Sequence, residues 1–332
     1  MILAGDIGGT KTNIALVETG GGELGAVAAE RTYHSAEHDS LEAILKEFIA
    51  EQRQPEITYA CFGVAGPVID SEVKTPNLAW DVSARALVEV IGTEHVGLIN
   101  DLEATAYGIE AVKPEKLYTL NRGKQRPGGN RALIAAGTGL GMSVIVQHEG
   151  RYHPSPSEGG HIDFAPRGRV EIDLLNYLTD KYGGHVSYER VISGPGLFDI
   201  YCFLRESKYA LEPDWLAAEI KGGNESAAVS GAALAGKSEL AVRALEMFVS
   251  IYGAMAGNLA LLMMATGGLY IGGGIAPKIL AKIKDGTFMR AFTDKGRFSS
   301  FNADIPVHVI LDDKAALYGA ARFALAHLGS SP

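Results

Sequence analysis

The sequence predicts an α/β fold of two lobes, each built on a mixed sheet, around a cleft. Three observations carry this. The chain opens with an apolar stretch, a polar glycine-rich turn and a returning apolar stretch (residues 2–5, 6–12 and 13–18). The same succession recurs at 131–136, 137–141 and 142–147, which points to a duplicated unit. Beyond each hairpin, short apolar runs alternate with segments of helical spacing, the pattern of an α/β lobe. No low-complexity linker separates the halves, so they are expected to pack together. The expected lobes are residues 1–112 with 313–330, and residues 113–312.

The elements follow in order. A third strand is expected at 26–33. A helix then starts near Asp39 and Ser40, with Glu42 placed for an Asp-x-x-Glu cap and Leu41, Ile44, Leu45 and Phe48 on one face. A strand at 57–62 ends in a tight loop, Gly63 to Pro67. Asp81 or Ser83 caps a helix through Ile91. A strand at 96–99 leads through Asn100 and Asp101 into a helix at 102–112. In the second lobe a long polar connection, 148–170, precedes helices at 171–181 and a Gly/Ala/Ser-rich helical region to Lys237. A long buried helix (239–265), a strand (269–271) ending in Gly272, Gly273 and Gly274, and a last strand (305–310) follow. Asp312 and Asp313 cap a final helix (314–327) that returns to the first lobe. Trp80, beside the loop Pro76, Asn77 and Leu78, and Trp215 in the second lobe are natural fluorescence reporters.

A chain of 332 residues, 47% hydrophobic and 21% charged, can bury a core in each lobe. The net charge of −9 argues against nucleic acid and anionic lipid as partners. It does not exclude nucleotides, which backbone N–H groups and metal ions can hold. The two cysteines, Cys61 and Cys202, fall in apolar runs and make neither a disulfide framework nor a zinc site. No signal peptide is legible. The most apolar stretch, 254–265, contains Asn258 and is too short for a bilayer. A cytoplasmic location without membrane association is expected.

The candidate residues cluster at the turns. Asp6 ends a strand before Gly8, Gly9, Thr10 and Lys11. Glycines let successive N–H groups face a phosphate, and Asp6 is suited to hold a hydrated Mg²⁺. A plain hairpin turn would have the same composition. Gly137, Thr138 and Gly139 repeat the logic, and two cradles could clasp a triphosphate from both sides. The first turn lacks the second glycine of a P-loop. Gly20, Gly22 and Gly25 match G-x-G-x-x-G by spacing, but a strand follows where a helix is required. Asp101 stands at a strand end, where α/β sheets place ligands, and a phosphoryl transfer needs a carboxylate to accept the hydroxyl proton. It could equally be a helix N-cap. Glu158, Gly159, Gly160 and His161 form a polar close-approach loop, as does the segment from Glu189 to Gly196. Charged acceptors of this kind suit hydroxyl-rich ligands, although a solvated surface loop would look similar. Gly273 and Gly274 open a helix from a strand and could pack against an adenosine.

At these residues the sequence resembles the bacterial glucokinases of the hexokinase–actin–chaperone ATPase superfamily. The resemblance rests on Gly5 to Thr10, Phe62 to Pro67, Asn100 to Ala104, Gly137 to Gly141, Ser157 to His161, Glu189 to Gly196 and Gly272 to Pro277, and it runs nearly the whole length. It implies two ribonuclease-H-like lobes that close on their substrates, ATP with Mg²⁺ and glucose, usually in a homodimer. Asp101 would be the catalytic base. Asn100, Asp101, Glu158, His161 and Glu189 would hold the sugar hydroxyls. The turns at Asp6, Gly8, Gly9, Thr10 and at Gly137, Thr138, Gly139 would hold phosphates, with Lys11 a further contact. A sister group of sugar kinases and repressors carries a cysteine-rich zinc motif near the catalytic histidine, and no cysteine lies between Cys61 and Cys202. The remaining rivals are a kinase for another sugar, a sugar-sensing transcription factor and an ATPase without a sugar site. The first turn begins at Asp6, leaving little room before it for a DNA-binding domain. A plain ATPase has no evident use for Glu158, His161 and Glu189 together. Composition and spacing leave the sugar and the phosphoryl donor (ATP, ADP or polyphosphate) open.

Overall fold

The computed structural model describes residues 1–75, 78–124 and 126–328. Pro76 and Asn77 of the loop before Trp80 lie outside the described residues, as do the last positions of the expected first lobe. The chain divides into two compact units, one of Met1–Lys116 with the segment from Asp312, the other Leu117–Leu311.

Unit 1 begins with three antiparallel strands: β1 (Ile2–Ile7), β2 (Lys11–Gly20) and β3 (Glu23–His34). After α1 (Leu41–Glu51) comes β4 (Tyr59–Val64). A small sheet is made by β5 (Val68–Ile69), β6 (Glu72–Val73) and β7 (Val82–Ser83). Then follow α2 (Ala84–Ile91), β8 (Val96–Asn100) and α3 (Asp101–Gly108). The main sheet has the order β3-β2-β1-β4-β8. Its three parallel strands end level, because Ile7 pairs with Val64 and Val64 with Asn100. Asp6 and Asp101 therefore stand at the carboxyl ends of β1 and β8, the two parallel strands that flank β4, where open α/β sheets bind ligands.

Unit 2 repeats this plan. It opens with β9 (Leu117–Asn121), then β10 (Arg131–Ala136), β11 (Leu140–His148) and β12 (Arg151–Ser157). Helices α4 (Arg169–Tyr182), α5 (Gly194–Glu206), α6 (Asp214–Lys221), α7 (Glu225–Leu234) and α8 (Glu239–Leu262) follow. Next come β13 (Gly268–Gly272), the short helices α9 (Ile275–Lys278) and α10 (Leu280–Ile283), α11 (Thr287–Thr293), α12 (Ser299–Ala303) and β14 (Val307–Ile310). The order β12-β11-β10-β13-β14-β9 matches that of unit 1 strand for strand, with β9 added at the edge. Both sheets are mixed, as expected from a hairpin followed by strand–helix units. By length and composition α8 could cross a membrane, but Phe248, Ile251, Tyr252 and Ala256 are buried in the unit 2 core.

Finally α13 (Ala315–Phe323) returns to unit 1. Leu317, Ala320, Ala321 and Ala324 cover one face of the sheet against Ile2, Ala4, Val17, Cys61 and Ile99. The other face packs on α1 and α2 through Leu3, Phe48, Phe62 and Leu87. Glycine makes the first packing possible. A Cβ on Gly108 would run into Ala315 O, and one on Gly319 into Ala104 O, so α3 and α13 touch backbone to backbone.

Several boundaries differ from the expectations. Residues 148–170 have the composition of a polar connection, but β12 lies within them: its Pro154 and Pro156 mask an edge strand, and proline is tolerated at edges. The cap of α1 is Ser40, whose Oγ accepts from Ala43 N at 3.2 Å, so Asp39 and Glu42 form no capping box. Asp81 accepts from Thr75 N instead of capping α2, and Ser83 at the cap position makes no side-chain cap bond. The long helix stops at Leu262.

Candidate functional site

In unit 1 the turn between β1 and β2 is closed by Gly8 N donating to Lys11 O at 3.0 Å. Ser35 supports it from behind: its hydroxyl donates to Gly8 O at 2.7 Å and meets Thr12 Oγ1 at 3.0 Å, both buried. Gly8 and Gly9 are half-buried, and Thr10 and Lys11 are exposed. Asn13, opposite Asp6 in the β1–β2 register, donates to Asp6 Oδ2 at 3.4 Å and is itself held by Thr32 Oγ1 at 2.8 Å.

Asn100, not Asp101, caps α3. Its Oδ1 accepts from Leu102 N at 2.9 Å and its Nδ2 donates to Gly66 O at 3.0 Å. Asp101 is the first helical residue, and its Oδ1 shares the Leu102 N–H at 2.9 Å. The competing reading of Asp101 as the helix cap is thereby overturned: a helix has one N-cap, and Asn fills it equally well.

Burial raises the pKa of Asp101, against the opposing pull of the Leu102 N–H. Asp6 is pushed up to about 7, first by burial, then by the charge of Asp101, with Asp313 adding a smaller repulsion and Asn13 opposing. Among the described residues neither carboxylate is in an ion pair with Lys or Arg. Like charges crowded at strand ends without a cation fit a bound divalent ion. Among the described residues no group of three or more His, Cys, Asp or Glu could cage a metal. One carboxylate with waters and substrate phosphates suits Mg²⁺.

In unit 2 the turn after β10 is tight: Gly137 N donates to Gly139 O at 2.8 Å. Two outside anchors fix it. Gly194 N, at the start of α5, donates to Gly137 O at 2.9 Å, and Ser226 Oγ on α7 donates to Gly194 O at 2.5 Å. Glu189 Oε2 accepts from Leu140 N at 3.0 Å. A Cβ on Gly139 would lie 2.5 Å from that same carboxylate oxygen, so the glycine is needed for Glu189 to reach the backbone. Gly160 is buried, with no room for a Cβ beside Leu140 O. That contact brings the short 3₁₀ helix Gly159–His161 onto β11.

Glu158 and His161 lie 3.8 Å apart with side chains 77% and 58% exposed. They meet each other and are otherwise open to a ligand. Gly273, at φ 81°, packs against Ala136 O, and Gly273 and Gly274 are exposed beside the end of β10. Within unit 2 the turn is thus linked directly to Glu189, the 3₁₀ helix and Gly273. Within unit 1 the turn, Asp6, Asn100 and Asp101 gather at level strand ends. Ser35, Asn13, Ser226 and Asp313 were missed by sequence reasoning. Only Asn13 had a usable signal, since the hairpin register places it opposite Asp6.

A duplicated five-strand plan with a glycine turn after the first strand of each unit is the architecture of the actin-like ATPase sugar kinases. A family profile described as Glucokinase matches residues 3–327. The glucokinase of Nostoc punctiforme is 42% identical over 333 residues, covering 97% of this chain and 98% of that protein. The glucokinase of a Synechocystis strain is 43% identical over 341 residues, covering 96% of each. Among solved structures, a glucokinase from an Antarctic psychrotroph superposes with a TM-score of 0.83 at 30% identity, covering 97% of each chain. A ROK family glucokinase from Streptomyces griseus, solved with glucose and AMPPNP, shares the fold at a TM-score of 0.62 and 23% identity, covering 96% of this chain and 97% of that one. The chain belongs to the glucokinase family.

Proposed function

We propose that this enzyme transfers the γ-phosphoryl group of ATP to the 6-hydroxyl of D-glucose, with Asp101 as general base. The observation that carries this reading is the carboxylate of Asp101. It is held at a parallel strand end by the Leu102 N–H, is excused from capping by Asn100, and among the described residues is in no ion pair with Lys or Arg. Burial raises the pKa of Asp101, and a carboxylate so raised is a stronger base than a solvated one.

Asn100 and Asp101 in unit 1 and Glu158, His161 and Glu189 in unit 2 bind the sugar hydroxyls. Glu189 has one oxygen committed to Leu140 N, which leaves Oε1 for a hydroxyl. The N–H groups around Gly8, Gly9 and Thr10 and around Gly137, Thr138 and Gly139 receive phosphate oxygens, with Lys11 a further contact. Gly273 and Gly274 leave space for the nucleoside. Asp6 would hold Mg²⁺ through water, and the ion would neutralise charge on the phosphates. The enzyme would act in the cytoplasm, as a homodimer.

The test is a coupled assay across sugars and donors. Glucose with ATP is expected to be the best pair, and 6-deoxyglucose is expected to accept no phosphate. Phosphorylation of 6-deoxyglucose would refute the assigned position, and a faster reaction with ADP or polyphosphate would refute the donor.

A further inference from the structure

A cavity of about 490 Å³ in unit 2 shares no residue with the turn or the sugar-binding candidates, and Arg167, Arg169, Arg243 and Arg290 all line it. It lies at the start of α4, where Gly168, at φ 77°, offers the first helical turn no side-chain acceptor. The N–H groups there add partial positive charge to the arginines. Arg167 Nη2 donates to Ser250 Oγ at 2.9 Å and to Glu171 Oε1 at 3.0 Å, and so is fixed in place. Arg243 pairs with Glu246 at 3.0 Å. Arg290 donates to the neutral Thr287 Oγ1 at 3.0 Å and is in no ion pair among the described residues. Next to the cavity, Lys295 donates to Ala254 O at 3.0 Å, and its pKa is lowered by burial and then by the nearby Arg167.

We propose that this cavity is a second ligand site, for a phosphate monoester of a small polyol. Guanidinium forks match the geometry of phosphate oxygens, and Arg290 and Arg167 are placed to supply two of them. The rest of the lining decides the class of ligand. Glu171, Glu246 and Asp294 also face the cavity. Glu171 is engaged by Arg167 through both oxygens and Glu246 by Arg243 through Oε2, so Asp294 and Glu246 Oε1, which would repel a bare phosphate, are the acceptors for the hydroxyls of an attached polyol. Ser250 and Thr287 add neutral hydroxyl partners. Nothing in this assignment depends on the kinase reading, so either can fail without the other.

The test is calorimetric titration of sorbitol 6-phosphate into the full chain, with the catalytic site filled by saturating glucose and a non-hydrolysable ATP analogue. Saturable binding at one site is expected. Arg290→Ala should weaken it by about tenfold or more, and Arg243→Gln, on a different helix, should weaken it independently. Asp101→Asn should leave it unchanged, and Arg290→Ala should keep turnover at saturating substrates within about twofold. The proposal is overturned if no saturable binding appears, or if both arginine variants bind as well as the parent. It also fails if glucose competes with the ester, or if inorganic phosphate binds as tightly as the ester does.

Discussion

The two units use one strand plan and treat negative charge in opposite ways. In unit 1 the carboxylates of Asp6 and Asp101 stand at strand ends and are pushed upward in pKa by burial. In unit 2 the strand leading into the turn ends in Ala135 and Ala136, and the nearby carboxylate, Glu189, comes from a distant 3₁₀ helix and is tied to Leu140 N. Duplication supplied the cradle, and the charge was placed separately in each copy. The Asp6 and Asp101 carboxylates of unit 1 are without an ion pair among the described residues, whereas in unit 2 Glu158 is exposed and Glu189 has one oxygen tied to the backbone.

The contrast can be broken most directly at Asp101. Asp101→Asn should lower kcat by at least about 10²-fold. Because Asn100 keeps the cap and the burial cost of the carboxylate is removed, the melting temperature should not fall. Normal turnover with reduced stability would make Asp101 a structural residue and dissolve the distinction.

A smaller effect should separate Glu189 from its companions. Glu158→Ala and His161→Ala should raise KM for glucose and leave KM for ATP nearly unchanged. Glu189→Ala should raise both, because the Leu140 N–H beside the turn loses its acceptor, at a cost of about 1–3 kcal/mol if no water replaces it. Identical effects of all three substitutions would mean that the Glu189 anchor has no bearing on the turn.

The smallest effect is on stability and its sign depends on pH. The pKa of Asp6 is about 7 in the folded, metal-free chain and near 4 when unfolded. The folded state therefore binds the proton more tightly, and the stability this gives is present below about pH 4 and is lost as pH rises toward 7. Asp6→Asn should melt higher than the parent at pH 8 in the absence of divalent ions, and the gap should close at acid pH. A parent that is equally stable from pH 5 to pH 8, relative to the variant, would show that Asp6 carries no uncompensated charge.

The sequence was most informative where chemistry leaves a compositional mark. The hairpins around Gly8 and Gly137 were visible as apolar–glycine–apolar successions, and the final helix could be located, but neither Asp312 nor Asp313 caps it: Lys314 holds the cap position, and Asp312 Oδ1 accepts from Lys314 N at 3.1 Å ahead of the helix. The strand Arg151–Ser157 was hidden by two prolines and by exposure along an edge, which removes the alternation that marks a strand. Leu117–Asn121 was missed for a related reason: it is a half-buried edge strand with no clean period of two. At the site, residue types suggested the carboxylates, but the division of labour between Asn100 and Asp101 depends on backbone angles that adjacent polar residues do not disclose. The Ser226–Gly194–Gly137 chain joins three separated segments, and no local pattern encodes it.

The close contact of α13 with α3 also bears on the order of assembly during synthesis. Leu317, Ala320, Ala321 and Ala324 cover one face of the first sheet, yet they are translated only after the whole of unit 2. Until then Ile2, Ala4, Val17 and Cys61 have nothing apolar from α13 to pack against. Unit 2 is continuous in sequence and can close first, reversing the usual N-terminal-first order. The nascent first sheet must wait half-dressed, and this is the interval in which a chaperone would find the most to hold.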